Sequence, residues 1–416
     1  MSSSQQPPQQ DAPLPLAPLP ADLQVEILSR VGDAVSVVRC AATCKAWRRL
    51  IQDPSFVSSL HRLRRRRAGG FDPASLLGFF FRDTSQRLPR RRLYRRRPTR
   101  FLLLAPSQPQ PQSQPSPPVV LPLSRFLDCA GGLDGFAPVA SGDGGLLALC
   151  RFQAASRGTA VICVCNPLAR TSTFLPPLPP LFFPDNVLFL EAGGPLFRLL
   201  AVMDDQHGGL LLRVFSSETG RWDEAVTAEL PDNMVMYVCS PAVVHLGAVH
   251  WVCGTRALPH AVHAVAVRLP PAVASVSRFD LPLHAGVHRL TRVPETVRLA
   301  SSPQGILSLV LLDALVLSIW NLQDTIAHRK EWSCYKAVDL TPLLPPITFS
   351  RPKVELSIQG FCEKSGALFF RVAGEGLFAF NLETKKLVKV FKDNCAKCLS
   401  PYVADFGSCL ATLKRF

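Results

Sequence analysis

Cysteine and histidine are the residue types in this sequence whose spacing invites a chemical reading. Cys395-Ala-Lys-Cys398 has the spacing of half a zinc site or of a dithiol pair. Tetrahedral zinc needs four ligands, however, and no second CxxC and no HxxxH stands near it in the chain. Cys163 and Cys165 would share one face of an extended segment, which suits two small core residues of an inner strand. His245, His250, Cys253, His260 and His263 form the densest histidine cluster. In strands the odd separations 245 to 250 and 260 to 263 place the paired rings on opposite faces, which argues against a shared metal. The sequence holds no G-x-S-x-G elbow, no P-loop, no H-E-x-x-H and no dinucleotide fingerprint, and Gly374-Glu-Gly376 reads as a turn between strands. Neither catalysis nor a bound metal or cofactor is expected from these motifs.

With no reactive constellation to organise the chain, its elements become the guide. In residues 19–56, Pro20 suits a first helical position, and Leu23, Ile27 and Val31 recur at spacing four, which predicts a helix stopped by Gly32. Asp33 can cap a second helix carrying Val35 and Val38. Cys44, Trp47 and Ile51 mark one face of a third, closed by Asp53-Pro54. Three short helices cannot bury all this apolar surface among themselves, so a partner surface is implied. Leu19-Pro20, Glu26-Ile27-Leu28-Ser29-Arg30, Arg39-Cys40, Cys44-Lys45, Trp47-Arg48, Leu50 and Asp53-Pro54 together resemble an F-box of the plant type, here residues 19–58. Gly32 and Thr43 depart from that pattern, standing where the family often has Pro and Val. The resemblance implies docking on a Skp-type adaptor, and through it on cullin and RING subunits of a ubiquitin ligase. Carried over by motif position, the adaptor-binding residues would be Leu19, Pro20, Leu23, Ile27, Leu28, Val31, Val38, Cys44, Trp47 and Leu50, some of which must face internal packing instead.

The net charge of +15 suggests a nucleic-acid partner until its distribution is read. Fourteen Arg against Asp72 and Asp83 concentrate +12 between residues 62 and 100, leaving the rest nearly balanced. This Arg-rich segment, including Arg64, Arg65, Arg66, Arg67, Arg90, Arg91, Arg92, Arg95, Arg96 and Arg97, is read as solvated linker, as a nuclear-localisation signal, or as a patch for an acidic partner. With Tyr94 as its one interleaved aromatic it lacks a stacking platform, so nucleic acid is disfavoured. Residues 1–18 are a Pro/Gln-rich tail without a basic start or apolar centre, expected to be disordered and not a signal peptide. The longest apolar run, Ile306 to Ile319, is interrupted by Asp313 and reads as strand, turn, strand; a membrane span needs about twenty apolar residues. A nuclear or cytoplasmic protein with reduced cysteines is expected, thirteen being an odd count for a disulfide framework.

From residue 126 to 416 the chain repeats itself. Gly145, Gly194, Gly247, Gly305 and Gly366 each open an apolar strand, and polar turns follow at Asn166, Ser217, Asn321 and Asn381. With Arg268 as the less obvious equivalent, positions 166, 216, 268, 321 and 381 are separated by 50 to 60 residues, close to the period of about fifty of a kelch propeller blade. Apolar alternation with Pro between the strands argues for an all-β array. Leu76 to Phe81 and Phe101 to Leu104 lie in residues 59–125, a linker that also holds the Pro/Gln-rich stretch 105–118. These two strands should join the last segment to complete a blade and remove the free edges. The expected fold is mainly β with a small α module: an F-box followed by a propeller of about six blades, seven being the alternative. It resembles the kelch-like or F-box-associated domains found behind plant F-boxes. That resemblance implies a substrate receptor whose propeller holds an unidentified target protein; the competing reading is a basic, nucleic-acid-associated scaffold using residues 62–100.

Overall fold

The computed structural model describes residues 19–31, 34–43, 45–67, 71–72, 75–84, 98–104, 119–127, 132–153, 159–178, 187–193, 196–204, 209–231, 234–236, 241–255, 262–269, 275–282, 293–302, 305–324, 330–346, 354–392 and 396–403. Four helices come first: α1 (Ala21–Ser29), α2 (Ala34–Thr43), α3 (Lys45–Gln52) and α4 (Pro54–Arg67). Pro20 sits one residue earlier than expected, as the cap, where its carbonyl accepts from the Gln24 N–H. The fourth helix is the larger difference. Asp53-Pro54 ends α3 but also starts α4, because the Asp53 carboxylate accepts from the Ser55 N–H and Pro54 occupies a position that needs no donor. None of the helices is long and apolar enough to cross a membrane.

Six antiparallel sheets follow, and they form a six-bladed β-propeller. The chain supplies β1 (Leu76–Asp83), β2 (Thr99–Leu103) and β3 (Val119–Pro122) to blade 1. Blade 2 holds β4 (Ala137–Ser141), β5 (Leu147–Gln153), β6 (Thr159–Asn166) and β7 (Thr171–Phe174). Blade 3 holds β8 (Val187–Gly193), β9 (Leu196–Asp204), β10 (Gly209–Ser216) and an outer strand split into β11 (Arg221–Trp222) and β12 (Val226–Glu229). In blade 4 the inner strand is split, into β13 (Met234–Met236) and β14 (Val243–His245), beside β15 (Ala248–Thr255), β16 (Val262–Arg268) and β17 (Ser275–Asp280). Blade 5 holds β18 (Val297–Ser301), β19 (Leu307–Asp313), β20 (Val316–Asp324) and β21 (Lys330–Asp339). Blade 6 holds β22 (Leu356–Cys362), β23 (Ala367–Val372), β24 (Gly376–Asn381) and β25 (Leu387–Phe391). The last strand, β26 (Ala396–Val403), returns to pair with β1 as the inner strand of blade 1. The closure expected from the sequence is therefore present, and the alternative of seven blades is not.

Period-two geometry explains why β1 is apolar without alternation. Phe80 points into the interface with blade 2, among Phe101, Tyr402 and Leu147, while Phe79 and Phe81 point into the interface with blade 6, among Phe369 and Leu377. Each of the other blade pairs has an equivalent apolar cluster, so the core is a ring of inter-sheet layers. Tyr402 ties the closing strand down, donating its buried hydroxyl to the Gly145 carbonyl at 2.9 Å.

The recurrent glycines and asparagines have a shared cause. Gly145, Gly247, Gly305 and Gly366 adopt positive φ where the first strand of a blade turns into the second. Asn166 Oδ1 accepts from the Leu168 and Ala169 N–H groups, and its amide donates to the Gly144 carbonyl. Asn381 repeats the arrangement, with Glu383, Thr384 and the Ser365 carbonyl. One side chain thus shapes the turn between third and fourth strands and stitches it to the turn between first and second. Asn321 differs: it lies inside β20, which runs on to Asp324, and accepts from the Ser308 hydroxyl at 2.8 Å. The strand thus runs three residues past the turn expected there.

Candidate docking surface and central channel

The four helices build their own small core from Leu28, Val37, Ala41, Ile51, Phe56 and Leu60, all buried. Val25, Val31, Cys40, Trp47 and Leu50 are half-buried against it. Phe56 and Leu60, four apart on α4, were missed by the sequence reading; Asp53-Pro54-Ser55 was the available signal for a helix start. Leu77 of β1 also packs on this core, so the module is joined directly to the propeller. Phe71 and Asp72 strengthen the joint: the Asp72 N–H donates to the Lys364 carbonyl at 2.7 Å, and the Phe71 ring meets Phe361 edge-on. Gly366 leaves room for that ring, since a Cβ there would lie 2.8 Å from Phe71 Cγ.

The α1 helix carries two apolar stripes. Val25, Leu28 and Val31 face the core, whereas Leu19, Leu23 and Ile27 face solvent at 49%, 51% and 41% exposure. At 100° per residue Leu23 and Ile27 lie about 40° apart on α1, away from Leu28, and Leu19 stands just ahead of the helix. The sequence reading had placed Val31 with Leu23 and Ile27; the structure puts it on the inner stripe. The Glu26–Arg30 ion pair, 2.9 Å long, flanks the outer stripe. Of the ten residues assigned to docking, Leu19, Pro20, Leu23 and Ile27 are exposed, and Leu28, Val31, Trp47 and Leu50 pack inward. Cys44 and the side chain of Val38 lie outside the described residues. Arg64, Arg65, Arg66 and Arg67 form the last turn of α4, and Arg90, Arg91, Arg92, Arg95, Arg96 and Arg97 lie outside the described residues.

The inner strands of all six blades enclose a central channel of about 360 Å³. At its mouth the Lys364 ammonium pairs with the Asp143 carboxylate. Beside them Glu363 accepts from the Ser301 N–H at 2.7 Å. Burial pushes the Glu363 carboxyl up to about 7, the Asp143 charge adding to the effect while the Ser301 N–H and Lys364 oppose it.

The histidine cluster divides in two. The turn Leu246-Gly247 separates β14 from β15, and pairing across it joins residues of odd separation. His245 stands opposite Ala248, so His250 projects to the same side and the two rings lie 5.7 Å apart. The expectation of opposite faces fails here because alternation counts along one strand and not across a turn. Burial lowers both rings' basicity, for His250 to about 4. His263 turns the other way, its Nδ1 3.0 Å from Asp280 Oδ1, and His260 lies outside the described residues. Cys253 is buried, and burial pushes its thiol up to about 12, which leaves it unreactive. Cys163 and Cys165 are core residues of β6, the third strand of its blade and not an inner one. Cys398 is exposed and Cys395 lies outside the described residues. Trp251 is fully buried, whereas Trp222 and Trp332 on outer strands donate to the Pro176 and Asp280 carbonyls of the preceding blade.

Comparison with known proteins agrees with the helical module and adds a family for the remainder. Residues 16–62 match the F-box-like model. F-box domains in general bind Skp-type adaptors, and this one followed by a propeller has the architecture of an F-box substrate receptor. No curated protein matches the chain significantly. Among solved structures, a provisionally assigned 6-phosphogluconolactonase of Bacteroides fragilis is 11% identical, with a TM-score of 0.39 over 80% of this chain and 98% of that one. A puromycin-hydrolysing peptidase of Mycobacterium tuberculosis is 12% identical, with a TM-score of 0.35 over 62% of this chain and 37% of that one. A xylan β-1,4-xylosidase of Bacillus halodurans is 9% identical, with a TM-score of 0.34 over 63% and 56%. Residues 108–413 match the model of DUF7595, described as a domain of unknown function; that is well over half of the chain, which therefore belongs to the DUF7595 family.

Proposed function

We propose that this protein is the substrate-recognition subunit of an SCF-type ubiquitin ligase: its helices dock on a Skp-type adaptor, and through it on cullin and RING subunits, while the propeller holds a target protein. The observation that carries this reading is the outer stripe of α1. Leu19, Leu23 and Ile27 are large apolar side chains left in water on a module whose own core is already filled by Leu28, Val37, Ile51 and Phe56. A helix that presents such a stripe at spacing four suits burial against a partner's apolar groove. Ubiquitin chemistry would belong to the other subunits, and the chain itself would be an adaptor. The plant-type character of the helical motif and the kelch-like character of the blades, supported by their period of about fifty residues, belong to the same reading. So does a nuclear or cytoplasmic location.

Replacing Leu23 and Ile27 together by Ala should weaken binding to a purified Skp-type adaptor. Each truncation removes about 2 kcal/mol of a well-buried contact, so the pair should cost at least a hundredfold in Kd. The melting temperature should stay within about 2 °C of wild type, because neither side chain belongs to the internal core. Leu28→Ala is the contrasting variant: it empties a core position and should unfold the module. Undiminished adaptor binding by the Leu23/Ile27 variant would refute the assignment.

A further inference from the structure

The cleft between blades 4 and 5 is unrelated to the docking helices and carries a separate set of polar groups. Alternation along β14, β15, β16 and β17 brings His245, His250, Arg268 and Ser277 to one face of blade 4. Blade 5 closes the opposite wall with Lys330 and the turn at Gly305, leaving a cavity of about 280 Å³. His250 lies at the buried end and His245 is half-buried, its Nδ1 3.3 Å from the Ser301 hydroxyl. Arg268, Ser277 and Lys330 stand at the exposed rim. Among the described residues the cavity lining contains no Asp or Glu, although Asp324 is the register partner of Lys330 across β20 and β21. The channel mouth differs in holding Asp143 and Glu363 beside Lys364, and Ser301 stands between the two sites, its N–H donating to Glu363 and its hydroxyl 3.3 Å from His245 Nδ1.

We propose that this cleft is a binding site for an oxyanion of the phosphate-monoester class, with Arg268 and Lys330 attracting the charge and His245, His250 and Ser277 receiving its oxygens. The chemistry suits such a ligand. Guanidinium and ammonium groups offer donors without acceptors, and an imidazole or a hydroxyl can each turn a donor inward. A cavity of this size admits a phosphate group together with a few atoms of whatever bears it. A divalent cation is a poor fit, since two imidazoles would have to hold it beside two fixed positive charges. The ligand also has a consequence for protons. Burial keeps both rings neutral near pH 7, helped at His250 by His245 and then Lys330 and at His245 by Lys330, and an anion among them favours the imidazolium form. The rings face each other and Lys330, Arg268, Ser277 and Ser301, with the Glu363 carboxyl beyond Ser301, so binding should take up protons and tighten as pH falls toward 6.

Titration of the full-length chain with inorganic phosphate and with an N-acetylated, C-amidated phosphoserine, read by calorimetry up to about 10 mM, tests the site and its ligand source together. At least one of the two should bind saturably, and unphosphorylated blocked serine should not. Tighter binding of the blocked phosphoserine would assign the phosphate to a protein side chain; tighter inorganic phosphate would assign it to a small free anion. Arg268→Ala and Lys330→Ala are rim changes that should leave melting unchanged and lower affinity about tenfold each. Lys385→Ala with Lys386→Ala, on exposed residues of blade 6, should leave affinity intact. Absence of saturable binding by both probes, or equal losses in the blade 6 control, would overturn the proposal.

Discussion

Glu363→Gln should stabilise the protein at alkaline pH, although it removes a charge at the mouth of the channel. In the folded chain the carboxyl is held up to about 7, against 4.5 for an unhindered glutamate, with burial the largest cause. A raised carboxyl means that the folded state keeps its proton after the unfolded state has lost it. Folding therefore loses stability as pH rises from about 4.5 to 7, and the full cost is present above that window. At roughly 1.4 kcal/mol per unit the limiting cost is about 3 kcal/mol. Glutamine resembles the protonated acid: its amide oxygen can still accept from the Ser301 N–H, and its amide hydrogens replace the acid proton. The variant should therefore melt about 3–4 °C above wild type near pH 8.5, and the gain should vanish near pH 5, where the wild-type carboxyl is protonated. His250, whose basicity is lowered, costs stability on the acid side instead, but it is present in both proteins and cancels in the difference. Thermal unfolding followed by circular dichroism at the two pH values is sufficient. A gain of equal size at both, or a loss at the higher one, would refute the reasoning, because neither follows from a buried carboxylate that has been neutralised.

Two further changes probe how the ring is closed and how the helices are attached. Tyr402→Phe removes one buried hydroxyl and leaves the Gly145 carbonyl without that donor, which should cost about 1–2 kcal/mol and lower the melting temperature by about 1–2 °C without altering adaptor binding. Gly366→Ala places a Cβ at a φ of 66° and against the Phe71 ring; a loss of at least about 1 kcal/mol is expected, checked by denaturant unfolding.

How legible this fold was in the sequence depended on whether a signal was local or relational. Four of the five glycine-led strands, at Gly145, Gly247, Gly305 and Gly366, were readable because each of these blades must reverse direction at the same place, and few residues satisfy positive φ there; Gly194 lies outside the described residues. Ring closure was readable because Phe79, Phe80 and Phe81 are apolar without alternation, as a strand buried on both faces must be. The asparagine turns were legible as turns, but not as stitches between two turns, since that second bond depends on a carbonyl sixteen or twenty-two residues away. Two errors came from applying a period beyond its range. Val31 was placed with Leu23 and Ile27 by spacing alone, although α1 ends at Ser29 and Val31, beyond that end, packs on the core. His245 and His250 were placed on opposite faces by parity, although a two-residue turn lies between them. Nothing in the sequence indicated that Arg268 and Lys330 share a cleft, because they belong to different blades.

The topology also decides where the charge excess can act. Leu77, at the start of β1, packs against the helical core, and Asp72 bonds to Lys364 at the first turn of blade 6. The helices therefore sit at the end of the propeller that carries the turns between first and second strands. In blade 1 the closing strand β26 is first and β1 second, so the connection from β1 to β2 leaves the opposite end. That connection runs from Thr84 to Pro98 and contains Arg90, Arg91, Arg92, Arg95, Arg96 and Arg97. Arg64 to Arg67 close α4 on the helical side. Arg64 to Arg67 thus stand on the side of the docking helices, whereas Thr84 and Pro98, which flank the second run, stand at the opposite end. A partner drawn to Arg64 to Arg67 would meet the helical module that carries the docking stripe of α1, and its binding would fall in the same ionic-strength range that leaves an apolar adaptor contact unchanged.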